Sequence, residues 1–141
     1  MEAGLVERDA TRRPHRFSAR SESPIYNPLR QLLEATVGVE TELRRRLEAD
    51  ESVRAAAIHG SWVTGSSTPA SDVDVVVVGR PDLTRLRRDA RSIGRQAGRQ
   101  IDITAFSPEE FERRRKAGEG FVRKLLNGPR VALVGDLEDV E

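Results

Sequence analysis

Six residues in the middle of the chain have the types and spacing to handle a phosphate and a metal ion: Gly60 and Ser61, then Ser71, Asp72 and Asp74 after a spacer, and Asp102 further on. Asp72 and Asp74 head a β-branched run, so on a strand they share one face while Val73, Val75 and Val77 take the other. Two carboxylates held that close beside an apolar sheet repel each other and resist desolvation unless cations or protons offset them. Hard oxygen donors suit Mg²⁺, which keeps several waters and commonly joins one or two carboxylates to substrate phosphates. From Asp74 to Asp102 there is room for the rest of one strand, a crossover helix and a return strand lying beside the first. Alternation puts Asp102 opposite Ile101 and Ile103, so three carboxylates could converge. Three acids can hold two metal ions roughly 4 Å apart, which clamps the attacking and leaving oxygens of an in-line phosphoryl displacement. Gly60 lets a triphosphate approach the main chain, and the short segment after it can aim N–H groups and the Ser61 hydroxyl at phosphate oxygens. Taken singly, a Gly-Ser pair is usually a turn and an Asp-x-Asp a strand end. Their joint placement is what points to one triphosphate–metal site.

The elements that must position these residues are readable from periodicity and turn chemistry. Val53 to Ile58, ending at His59-Gly60-Ser61, and Asp72 to Val78 read as buried strands separated by a polar loop. Pro81 opens a helix whose Leu83, Leu86, Ala90, Ile93 and Ala97 recur in steps of three and four until Gly98 closes it. Ile101 to Phe106 is a third strand, and Ser107-Pro108-Glu109-Glu110 is a capping box that starts another helix, split near Gly118 and Gly120. Val131 to Val134 forms a last strand, and the acidic tail from Asp136 is expected to fray. Ahead of the sheet, the first twenty residues read as a small basic hairpin. A long helix follows from Pro28, with Leu29, Leu32, Leu33, Val37, Leu43 and Leu47 at helical spacing and a bend expected at Gly38. Its Arg44-Arg45-Arg46 run reads as a solvated face rather than a phosphate contact. The fold class expected is α+β, a mixed sheet with helices packed against it, divided into residues 1–50, 51–135 and a tail at 136–141.

Composition limits the chemistry further. The chain has 141 residues, with 24 Lys plus Arg against 23 Asp plus Glu and no Cys. That length fits one domain with an appendage. Without Cys there are no disulfides, thiolate zinc sites or Cys nucleophiles, so a metal must sit on carboxylates, hydroxyls or the two His. A net charge of +1 removes the simplest argument for a dedicated nucleic-acid binder, although charge is uneven along the chain. No apolar run reaches the roughly 20 residues that cross a bilayer, and the N-terminus lacks a secretion signal, so no membrane partner and a cytoplasmic location are expected. His59 is expected to pack or cap locally rather than act as ligand or base. Trp62 is expected to be buried against the sheet rather than to stack on a purine. His15, in the hairpin, is given no chemistry.

The run His59-Gly60-Ser61-Trp62-Val63-Thr64-Gly65, then Ser71-Asp72-Val73-Asp74-Val75, then Ile101-Asp102-Ile103 resembles the DNA polymerase β-type nucleotidyltransferase superfamily, specifically its minimal nucleotidyltransferase branch. The resemblance covers Val53 to about Val134. It implies transfer of a nucleoside monophosphate from a nucleoside triphosphate, ATP first, to an acceptor hydroxyl. It also implies that Asp72 and Asp74 bind two Mg²⁺ ions, Asp102 helps hold one of them, and Gly60, Ser61 and Ser71 contact the nucleotide. Family members often carry Arg where this chain has Thr64, which puts triphosphate binding in question. Minimal members often act as antitoxins that modify a HEPN-type toxin, so such a protein partner is expected. Gly4 to Arg8, Phe17 to Ala19 and the following helix resemble the wing and helix of arsenic-repressor-type winged-helix proteins. The recognition helix is not matched, so DNA binding has little support, while packing or homodimerisation is a role left to this remnant. The rival reading is a nucleotide-sensing or DNA-binding regulator with an inactive nucleotidyltransferase fold.

Overall fold

The computed structural model describes residues 4, 6–9, 11, 16–66 and 71–140, with 9, 16, 17 and 34–36 described in their backbone only. Two short strands, β1 (Val6–Asp9) and β2 (Arg16–Ala19), pair antiparallel as the expected hairpin. His15 lies outside the described residues. Helix α1 (Tyr26–Glu48) runs without a break across Gly38 and starts two residues before Pro28. Pro28 is tolerated because it falls in the first turn, where its missing N–H is not needed.

The rest builds a four-stranded sheet. Its strands are β3 (Val53–His59), β4 (Val73–Gly79), β5 (Ile101–Phe106) and β6 (Arg130–Val134), in the order β5-β4-β3-β6. β4 and β5 are parallel, and β3 is antiparallel to both β4 and β6. This is the mixed sheet expected from the sequence. The crossover between β4 and β5 is α3 (Leu83–Ala97), capped by the Asp82 side chain, which accepts from the Arg85 N–H at 3.1 Å. Pro81 therefore precedes the cap instead of opening the helix. After β5, the Ser107 hydroxyl caps α4 (Pro108–Lys116) by accepting from the Glu110 N–H at 3.2 Å, as the capping box predicts. α5 (Gly120–Asn127) follows.

Strand alternation splits the apolar residues into two cores. Ala56, Ile58, Val73, Val75 and Val77 face α1 and α3 and pack with Val39, Leu43, Leu47, Leu86 and Ala90. Ala55, Ala57, Val76 and Val78 face the other way and pack with Phe106, Phe111, Val122 and Leu125. The tail does not fray as expected. Leu137 and Val140 are buried in this second core, and Arg130 holds Glu138 at 2.7 Å, so apolar burial outweighs the charge of the segment.

Two further expectations change. Only the C-terminal half of α1 is core: Leu29, Leu32, Leu33 and Val37 are exposed although they share its periodicity. The Arg44-Arg45-Arg46 run is not simply solvated. Arg44 donates to the Ala132 carbonyl at 3.0 Å, Arg45 pairs with Glu42 on its own helix, and Arg46 pairs with Asp89, tying α1 to α3.

Candidate active site

Strand order brings the chemistry-bearing residues to one sheet edge. β3 ends where β4 and β5 begin, and the pairing places His59 opposite Asp74 and Asp74 opposite Asp102. Residues in register on neighbouring strands present their side chains to the same face. Asp102, Asp74 and His59 therefore make a row across three strands, on the face over which α4 and α5 pack. Phe121, at the start of α5, flanks the row: its ring meets His59 edge-on at 5.8 Å and Phe106 at 6.0 Å. Asp74 is half-buried, and Asp102 is exposed.

Gly60 is required where it stands. Its φ of +78° belongs to the left-handed region, and a Cβ there would lie 2.7 Å from the Asp74 Oδ2. No other residue lets the turn close over that carboxylate. Ser61 opens the four-residue helix α2 (Ser61–Thr64), whose Val63 and Thr64 N–H groups bond back to the Gly60 carbonyl at 3.1 and 3.3 Å.

Electrostatics mark Asp74 as the strained member of the row. Burial holds its carboxyl above the usual carboxylate range, and Asp102 and Asp72 push it further up, against a lowering by His59. Burial likewise lowers His59 below the usual imidazole value, against the pull of Asp74 and Asp102. A divalent cation would relieve the repulsion among the acids. The third expected acid, Asp72, lies one residue ahead of β4, exposed and outside the ladder. Among the described residues, no three acids or imidazoles form a group that could hold a metal by themselves. Of the three carboxylates expected to converge, Asp74 and Asp102 stand in register, while Asp72 lies outside the ladder and acts on Asp74 through its charge. Two acids and a glycine turn fit an ion such as Mg²⁺ that takes its remaining ligands from water and a triphosphate.

The remaining positions divide. Ser71 precedes Asp72, and its carbonyl accepts from Arg99 at 3.4 Å. Thr64 is engaged locally, with its hydroxyl 2.8 Å from the Ser66 hydroxyl. Trp62 is partly buried rather than wholly so. It packs against the first core, its Nε1 donates to Glu40 at 3.2 Å, and the Arg99 guanidinium sits 5.1 Å from its ring centroid. Arg99 is the residue that sequence reasoning passed over. It places a cation beside the segment that enters Asp72, and its only signal was its position three residues before Asp102.

A nucleotidyltransferase domain model matches residues 40–139, which includes the whole sheet and both sides of the acid row. The chain belongs to the nucleotidyltransferase domain family. This nucleotidyltransferase has no match among curated proteins. A toxin–antitoxin structure solved with AMP-PNP aligns at a TM-score of 0.44 and 15% identity, covering 72% of this chain and 75% of that one. A protein from Sulfolobus solfataricus, solved at 1.40 Å and provisionally described as a nucleotidyltransferase, aligns at 0.37 and 17% identity, covering 59% of this chain and 79% of that one. As a nucleotidyltransferase, the enzyme moves a nucleotide unit from donor to acceptor. Among the described residues, no helix is long and apolar enough to cross a membrane.

Proposed function

We propose that this nucleotidyltransferase uses Mg²⁺ and a nucleoside triphosphate, ATP first, to place a nucleoside monophosphate on an acceptor hydroxyl. The observation that carries the reading is the register of Asp74 with Asp102 beneath the Gly60 turn. Asp74 and Asp102, with Asp72 at the entry to β4, would hold the ions. When bound, Mg²⁺ supplies positive charge to the triphosphate and the reacting oxygens. Gly60 leaves space for phosphate at the main chain, and Ser61 and Ser71 flank it with hydroxyl and N–H donors. In the reaction the acceptor oxygen bonds to the α-phosphorus, the bridging α–β bond breaks, pyrophosphate leaves with the bonding pair, and the acceptor proton passes to water. Half-burial of Asp74 keeps its carboxylate poorly solvated, which strengthens its hold on a cation. Residues 51–135 carry this chemistry, while residues 1–50 and 136–141 flank it. The resemblance to minimal nucleotidyltransferases supports a HEPN-type toxin as the protein acceptor and an antitoxin role for this chain.

The test incubates purified protein with each of four α-labelled nucleoside triphosphates, Mg²⁺, and either cell extract or a candidate HEPN protein. Wild type is expected to transfer label and release pyrophosphate, and Asp74→Asn and Asp102→Asn to lose at least a hundredfold in rate. Equal labelling by wild type and variants would remove the enzymatic reading. Nucleotide binding without transfer would instead favour a sensor.

A further inference from the structure

Between Leu83 and Gln100 the chain carries six Arg and one Asp, in a molecule whose charges nearly balance as a whole. Arg88, Arg91 and Arg95 repeat at helical spacing on α3 and line a cleft of about 730 Å³ with Arg99, Gly94 and Gly98. Arg91 and Arg95 are exposed, and neither makes an ion pair among the described residues. The single acid, Asp89, is taken up by Arg46 of α1 and lies 3.9 Å from Arg88, so it leaves Arg91 and Arg95 uncancelled. Two glycines shape the cleft. A Cβ on Gly94 would lie 2.3 Å from the Arg99 carbonyl, so its absence lets the returning chain press against α3 and form a wall. A Cβ on Gly98 would meet nothing within 4 Å, so the floor there is open. The cleft reaches Ile101 at the start of β5, an edge strand, and Arg99 connects it to Ser71, the residue before Asp72.

We propose that this arginine cleft binds the phosphodiester backbone of a polynucleotide and leads it to the edge of the acid row. Cations one helical turn apart, at about 5.4 Å of rise, form a regular row that suits the repeating anions of such a chain. The guanidinium fork matches phosphate oxygens in a bidentate manner. An acidic protein surface offers carboxylates at irregular spacing and fits the row less well. The cleft needs no nucleotide transfer to bind, so it is separable from the proposed reaction.

The test titrates the full chain into fluorescein-labelled 20-nucleotide oligouridylate, its deoxy counterpart and a poly-glutamate of similar charge, following anisotropy from 50 to 200 mM salt. Oligouridylate binding is expected to fall steeply with salt, by about 0.7 in logarithmic slope for each phosphate contact. Arg91→Glu/Arg95→Glu should weaken it at least tenfold and flatten that slope. Arg91→Lys/Arg95→Lys should keep most of the binding, and Arg113→Glu/Arg123→Glu, an equal charge change on α4 and α5, should keep nearly all. Equal thermal unfolding of the variants excludes loss of fold. The proposal is overturned if the α4/α5 pair matters as much as the α3 pair, if the α3 pair has no effect, or if poly-glutamate binds as tightly with the same dependence on Arg91 and Arg95. Tighter binding of either the ribo or the deoxy probe assigns the natural chain. Asp74→Asn, which tests transfer, should leave binding intact, so the two proposals fail independently.

Discussion

Asp74, which the proposed function makes a cation-binding carboxylate, is costly to keep charged in the folded chain. Its folded-state proton affinity is raised by burial and by its acidic neighbours, so ionising it opposes folding. That cost is full above the raised value and disappears as pH falls below the ordinary carboxylate value of about 4, where folded and unfolded chains are both protonated. Asp74→Asn is therefore expected to raise the melting temperature at pH 7 by about 3 °C while abolishing transfer, with the stability gap closing in acid. Scanning calorimetry of both proteins from pH 4 to 8 checks this, and a lower melting temperature for the variant would count against it. Gly60→Ala has the opposite sign. The added methyl collides with the Asp74 Oδ2, and the backbone already has positive φ. A loss of about 2 kcal/mol and of nucleotide binding is expected, measurable by urea unfolding and ATP titration.

At the scale of elements, the pairing of Asp74 with Asp102 was legible because it needs only strand alternation and one right-handed crossover, both local rules. The place of His59 in the same row was not. It follows from the antiparallel pairing of β3 with β4, a contact between segments that the sequence pattern does not register. Asp72 shows the limit of extending a strand to its first polar residue: β4 begins at Val73, so the Asp-x-Asp pair is half in the ladder and half outside it. The run of three arginines shows a similar limit. Charge runs are usually solvent-facing, yet Arg46 finds Asp89 on α3 because the two helices pack side by side on one sheet face. Hydrogen bonding to Arg46 holds the Asp89 carboxyl below its usual range, so its contribution is present above about pH 4 and is lost as pH falls further. Asp89→Asn is expected to lower the melting temperature by about 2 °C at pH 7 and by nothing near pH 2, as followed by circular dichroism.

The four-stranded sheet and the helices on its two faces make three layers, with the acid row at one edge of the middle one. The chain's C-terminal segment belongs to that body, since Leu137 and Val140 close the second core. Leu137→Ala should cost about 2–3 kcal/mol by chemical denaturation, whereas a frayed tail would tolerate it unchanged. The exposed leucines of α1 mark where sequence periodicity exceeds what the sheet can cover: twenty-three helical residues outrun the face of four short strands. The proposed function joins these layers at one point, where two acids in register, with Asp72 alongside, would hold a metal-bound triphosphate. Thermal unfolding with and without Mg²⁺ and ATP tests that most directly. Wild type should gain several degrees only when both are present, in line with about 2.7 kcal/mol at a hundredfold excess over the dissociation constant, and Asp74→Asn should gain none. Equal gains in wild type and Asp74→Asn, or none in wild type with any nucleoside triphosphate, would contradict the account.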